Sequence, residues 1–275
     1  MKKIEKSAQF LESNRMLFQC PVCGKGFTQV NNNQFICESN HSFDLSKKGS
    51  IHFLLKQPHN DYDTDMLKYR RIVAQDELWH PMLAEVSKYI TNQSGVHLDV
   101  GCGEGSHLHH LQALGLKGTS IGFDISKDAI QLAAALYTDV FWSVADLAQS
   151  PFATASYDTI FNILSPSNYS EFDRLLKKGG QVIKVIPSEN YLIEIRELTG
   201  KNLIPYSNQD VIEKFYEHYP NAIRTSVSYK HEVKASIVQP LLNMTPLSWN
   251  SKQSLEEIQL EEVSIDMDIL IGNKG

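Results

Sequence analysis

The chain has 275 residues, 42% of them hydrophobic and 21% charged, which is enough for one large core with a small module beside it and excludes long disorder. No apolar run approaches the ~18 residues a membrane helix needs, and no apolar stretch follows the basic start Met1-Lys-Lys-Ile-Glu-Lys6, so a cytoplasmic protein without membrane contact is expected. The net charge of −6 hides a split: residues 1–72 hold 11 Lys and Arg against 7 Asp and Glu (net +4), residues 73–275 hold 15 against 25 (net −10). A polyanion would therefore be met by the N-terminal part.

In chain order, a short helix is expected from Ala8 to Leu17. Cys20-Pro-Val-Cys23 follows and, after thirteen residues, Cys37-Glu-Ser-Asn-His41. Crowded cysteines in a chain that is not exported favour a metal over disulfides. Strands at Phe27–Val30 and Gln34–Ile36 would form a hairpin that brings the half-sites together. Three thiolates and one imidazole from Cys20, Cys23, Cys37 and His41 make a closed tetrahedral zinc set, one ion per chain, structural because no position is left for a catalytic water. Metal binding, at an apparent ~10–16 kcal/mol, would dominate the stability of so small a module. Lys47 and Lys48 beside it are plausible phosphate contacts.

This module is bounded at residues 1–56. The polar, acidic stretch 57–66 marks a break, and residues 57–93 read as linker and helices, one from Asp65 with Arg70 and Arg71 on its polar face, a second after Pro81. From residue 94 to 275 strands and helices alternate. The expected strands are Val96–Val100, Thr119–Asp124, Val140–Ala145, Tyr157–Leu164 and Gln181–Ile186. The helices are Ser106 to about Leu114, Ser126–Tyr137 and Tyr169–Lys177. Ala222–Lys230 and Val263–Ile271 alternate and should pair antiparallel at the sheet edge. The rhythm predicts an α/β fold, Rossmann-like, with a mainly parallel seven-stranded sheet and helices on both faces.

The organising stretch is Val96-His-Leu-Asp-Val-Gly-Cys-Gly-Glu-Gly105, an apolar strand that stops in Gly101, Gly103 and Gly105 before a helix. Glycines there let a ligand lie against the main chain. Asp124 ends the second strand, 21 residues after Gly103, where a carboxylate accepts from ribose hydroxyls; Asp146 ends the third, in reach of an adenine amino group. Glu104 would repel a pyrophosphate and attract an ammonium, which separates this pattern from dinucleotide sites. D-x-G-x-G-x-G at Asp99–Gly105 resembles motif I of the class I S-adenosylmethionine-dependent methyltransferases, and Leu176-Lys-Lys-Gly-Gly180 resembles their L-x-P-G-G turn, with Lys178 in place of proline. His107, His109 and His110 read as a solvated helix face. On the residues alone the methyl acceptor stays open: an rRNA, or a small molecule or protein with the zinc module shaping a lid.

Taken together, the zinc quartet, Phe43-Asp44, Lys48-Gly49, Arg70-Arg71, Leu98–Gly105, Gly122–Lys127, Pro151-Phe152 and Met244-Thr-Pro246…Trp249 resemble the 23S ribosomal RNA (guanine-N1)-methyltransferase family. The resemblance implies methyl transfer from S-adenosyl-L-methionine to N1 of a guanine in a hairpin loop of 23S rRNA, by a homodimer. It implies cofactor contacts at Trp79, Asp99, Gly101, Gly103, Glu104, Gly105, Ser106, Asp124, Ile125, Asp146, Leu147 and Tyr191, the last where relatives can carry histidine. Asn162, Ser165 and Pro166, after the fourth strand, are the candidates for holding the base.

Overall fold

The computed structural model describes residues 1–56, 64–200, 206–245, 247 and 258–275. The first helix, α1 (Lys3–Asn14), begins earlier than its apolar pattern suggested and runs into a 3-10 turn at Arg15–Leu17. Strands β1 (Phe27–Asn31), β2 (Gln34–Cys37) and β3 (Ser42–Asp44) form a three-stranded antiparallel sheet. The chain then enters the large sheet as β4 (Ile51–His52), which pairs parallel with β7 (Phe141–Val144). Helices α2 (Thr64–Gln75) and α3 (His80–Lys88) precede the core, and Pro81 at the start of α3 costs no hydrogen bond because its N–H would be unused there.

The alternating part follows as β5 (Val96–Val100), α4 (Ser106–Ala113), β6 (Thr119–Asp124), α5 (Lys127–Leu136), β7, β8 (Tyr157–Ile163), α6 (Tyr169–Leu175) and β9 (Leu176–Pro187). It ends with α7 (Ile193–Leu198), α8 (Gln209–His218), β10 (Ile223–Glu232), α9 (Ala235–Asn243) and β11 (Glu262–Asn273). The sheet order is β10-β11-β9-β8-β5-β6-β7-β4. All neighbours from β9 to β4 are parallel, and β11 alone runs against the rest.

Eight strands stand where seven were expected, because β4 carries the exit of the N-terminal module into the sheet edge. Two residues are too few to show periodicity, so only pairing with Ser143 and Val144 reveals them. Likewise α6 stops at Leu175 rather than Lys177: β9 begins at Leu176, and a bulge at the Lys-Lys-Gly-Gly turn, with Gly179 at φ +75°, precedes the regular ladder from Gln181.

Strand residues alternate between two apolar clusters, one on each face. Phe161, Ile183 and Val185 pack with α3, α4 and α9; Ile160, Val182 and Ile186 pack with α1, α6 and α8. The second cluster also takes in Phe27, Phe35 and Phe53 of the N-terminal module, and Phe18 contacts Phe35, Phe53, Phe141 and Phe152. The module is thus welded to the large sheet by its aromatic core. The polar break expected at 57–66 falls mainly outside the described residues, as do Pro246 and Trp249 of the Met244–Trp249 stretch. No described helix is long and apolar enough to cross a membrane.

Candidate active site and metal centre

Cys20 and Cys23 sit on a tight turn and Cys37 ends β2, so the β1–β2 hairpin carries the second half-site to the first. The four ligand atoms of Cys20, Cys23, Cys37 and His41 lie within 4.8 Å of one another. Cys23 Sγ to Cys37 Sγ is 3.8 Å, and His41 Nδ1 stands 3.6 Å from Cys20 Sγ and 3.5 Å from Cys37 Sγ. A tetrahedral zinc with bonds of about 2.3 Å to sulfur and 2.0–2.1 Å to nitrogen requires donor spacings near those values, so the quartet fits the ion. Burial pushes the Cys20 thiol up to about 11, whereas the Lys25 amide draws Cys23 down to about 6. The set is closed and entirely protein-made, which is the form of a structural site.

The second site lies at the carboxyl ends of the parallel strands, where the strand order reverses around β5. A cavity of about 300 Å³ is lined there by Gly101, Gly103, Asp124, Ile125, Asp146 and Leu147, with Ser165 and Pro166 opposite. Backbone conformation explains two glycines. Gly101 has φ +69°, and a Cβ on it would come within 2.6 Å of Ser165 Cβ, so the turn after β5 touches the loop after β8. Gly103 has φ +56° with nothing within 4 Å of where a Cβ would stand. Asp124 is locked in place: its Oδ2 accepts from the Gly103 N–H at 2.9 Å and its Oδ1 from the Ser126 N–H at 2.8 Å. Each carboxylate oxygen keeps a lone pair for a ligand. Asp146 caps a 3-10 turn through the Ala148 N–H.

Asp99, Glu104 and Ser106, also expected at the cofactor, are buried just beneath the glycine turn rather than on the cavity wall. The Ser106 hydroxyl donates to Glu104 Oε1, while Glu104 Oε2 and Asp99 Oδ2 have no hydrogen-bond partner. Burial pushes the Asp99 carboxyl up to about 8, helped by the charge of Asp124, and raises Glu104 and Asp124 as well. Buried carboxyls without a counter-charge are costly, and that cost falls when a cation arrives. Gly105, at φ +86°, abuts the Trp142 ring and caps α4.

Trp79 is buried, and Tyr191, whose phenol is raised by burial, lies near it. Over the Trp79 ring stands Arg70, with Cζ 5.1 Å from the ring centroid. Arg70 also lines the cavity. It was missed as a site residue because α2 read as amphipathic with its arginines on the polar face; nothing in helical spacing tells a solvated face from one that looks into a cavity.

The histidine group on α4 is corrected. His107 is 6% exposed and meets Trp79 edge-on at 5.0 Å, His109 stacks on Tyr137 at 4.4 Å, and His110 Nε2 lies 2.6 Å from His80 Nδ1. The start of α3 covers His107 and His110, which make an interhelical contact, whereas His109 is exposed as expected.

Of the acceptor-loop candidates, Ser165 and Pro166 reach the cavity, whereas Asn162 is fully buried and its amide is consumed within the loop. Its Nδ2 donates to Ser165 Oγ (2.6 Å) and to the Pro166 carbonyl (2.9 Å); its Oδ1 accepts from Ser167 Oγ (2.8 Å) and from Lys184 Nζ (2.7 Å). Asn162 therefore shapes the loop instead of presenting an edge to a base. Lys184, opposite it on β9, is the buried cation that sequence reasoning passed over, its ammonium pushed down by burial to about 8.

The sheet order, the glycine turn and the acid at the end of β6 define a class I methyltransferase fold, and a family profile for the methyltransferase domain matches residues 98–184. A profile described as "RlmA, N-terminal", a zinc ribbon, matches residues 18–58. The chain is 35% identical over 274 residues to a Bacillus subtilis (strain 168) protein described as "Putative 23S rRNA (guanine-N(1)-)-methyltransferase YxjB", covering 94% of this chain and 97% of that one. It is 24% identical to a Micromonospora griseorubida protein with the same description (85% and 87% covered). It is also 23% identical to the 23S rRNA (guanine(748)-N(1))-methyltransferase of Streptomyces fradiae, covering 84% of this chain and 85% of that one. The chain belongs to the 23S rRNA (guanine-N1)-methyltransferase family.

Proposed function

We propose that this protein transfers a methyl group from S-adenosyl-L-methionine to N1 of a guanine in a hairpin loop of 23S rRNA, working in the cytoplasm as a homodimer. The observation that carries the reading is the likeness along nearly the whole chain to the Bacillus subtilis protein, with the zinc quartet and the cavity present together. Bound in the cavity, S-adenosyl-L-methionine would supply a methyl group already activated by its sulfonium. Asp124 would accept from the ribose hydroxyls, Asp146 from the adenine amino group, and Ile125 and Leu147 would flank the base. Asp99 and Glu104 would answer the ammonium of the amino-acid end.

With an activated donor, the residues need mainly to align the acceptor with the methyl group and exclude water. Guanine N1 is protonated at neutral pH and lies on the pairing edge, so the base must be unpaired or flipped, and its proton leaves during or after attack. Ser165 and Pro166 would form the wall it meets, held in shape by Asn162 and Lys184. The exposed Lys2, Lys6, Lys25, Lys47 and Lys48 on the net-positive N-terminal part suit the rRNA backbone.

Primer extension on 23S rRNA from a strain lacking the gene tests the reading. One block at a single guanine should disappear and return on complementation. An unchanged pattern would move the acceptor to a small molecule or a protein.

A further inference from the structure

Asp124 lines the cavity, Asp99 and Glu104 are buried beneath its glycine turn, and the cation Arg70 lines the same cavity from a different element. Asp99, Glu104 and Asp124 all feel the charge of Arg70, which opposes the effect of burial on each. Yet among the described residues the Arg70 guanidinium donates to no acceptor and lies within ion-pair distance of no carboxylate, while Asp124 and Glu104 are held by other donors. A guanidinium offers five N–H donors in a planar fork, suited to a carboxylate. Here the fork rests on the Trp79 face with its donors unspent, at the wall of the cavity. Its helix packs against α9, α4 and α5, which holds the arginine in place.

The site therefore shows a ligand two opposite charges on one lining, Arg70 and Asp124, with Asp99 and Glu104 buried behind it. A ligand with only a cation would meet Arg70, and one with only an anion would meet Asp124 with two further acids behind it. A molecule with an ammonium and a carboxylate on one carbon matches both. We propose that Arg70 takes the α-carboxylate of the cofactor's amino-acid end and makes the site selective for that zwitterion; this rests on the cofactor reading above. Arg70 is then a specificity-determining binding residue supplied by the helices before the methyltransferase core.

The test compares S-adenosylmethionine with decarboxylated S-adenosylmethionine, which keeps the adenosine, sulfonium and ammonium and lacks only the carboxylate. Affinities are measured by calorimetry on the full-length wild-type protein and on Arg70→Met, Arg70→Lys and Arg71→Met. The wild type should prefer the carboxylate-bearing ligand by roughly 10- to 100-fold. In Arg70→Met the preference should shrink to within about threefold, with the decarboxylated ligand bound as well as before or better. Arg70→Lys should keep part of the preference, since the charge remains and the fork is lost. Arg71→Met should keep the wild-type ratio. An Arg70→Met protein that loses both ligands alike, or keeps the wild-type ratio, overturns the assignment. Wild-type protein that binds neither ligand overturns the cofactor reading and the assignment with it.

Discussion

The metal centre and the cavity are both built from groups that carry or lose protons, yet they are opposite in design. The zinc quartet comes from residues 20 to 41, and its ligand atoms already stand at the spacings an ion requires. The cavity draws on α2, on the turns after β5, β6 and β7 and on the loop after β8, and leaves carboxylate oxygens of Asp99 and Glu104 buried and unmatched beneath it. The first arrangement is complete within the chain and has the form of a brace. The second is unbalanced by itself and would be relieved by a cationic ligand, which is how a binding site differs from a brace.

The largest effect expected from this contrast is on the metal side. Cys20→Ser should lower zinc from about one ion per chain to near zero and cost on the order of 5 kcal/mol or more of stability, read by metal analysis and thermal melting. Because Phe27, Phe35 and Phe53 share a cluster with Phe141 and Phe152, the whole protein should melt earlier in one transition. Loss of the module's signal with the large domain unchanged would show the two regions to be energetically separate.

Next in size, Asp124→Ala should weaken S-adenosylmethionine binding roughly 100-fold by calorimetry, since a charged acceptor of hydrogen bonds is lost. Unchanged affinity would remove the ribose role and make Asp124 only the tether of Gly103 and Ser126.

The smallest effect is a pH dependence. Burial, then the charge of Asp124, hold the Asp99 carboxyl up at about 8, with Arg70 opposing. An arriving ammonium favours the ionised carboxylate, so below that pH binding releases a proton. Affinity should rise with pH by up to about tenfold per unit toward pH 8 and then level off, and Asp99→Asn should flatten the profile. A flat wild-type profile over that range would erase the proposed difference between a balanced and an unbalanced site.

What could be read from the chain follows from the range of each cause. The zinc ligands are set by spacing over a hairpin, and the glycine turn, Asp124 and Asp146 by their places at the ends of apolar runs, so local pattern alone located them. The strands from β5 to β9 were legible because burial on both faces leaves continuous apolar runs. β4 escaped because two residues acquire strand character only by pairing with a neighbour just over ninety residues away. Asn162 belongs to β8 itself, and its amide is spent on the following loop and on Lys184 of the neighbouring strand, which local sequence could not show. His107 and His110 looked solvated because α4 by itself does not show that α3 covers it.

Composition, spacing and periodicity thus determined the fold class, the metal ligands and the half of the cavity formed by strand ends. Only the tertiary structure decided that the zinc module shares the aromatic core of the large sheet, and that Arg70 stands over Trp79 in the wall of the cavity that Asp124 also lines. The physical reason is the same in both cases: period and spacing tell which residues share a face, and packing alone tells what that face meets.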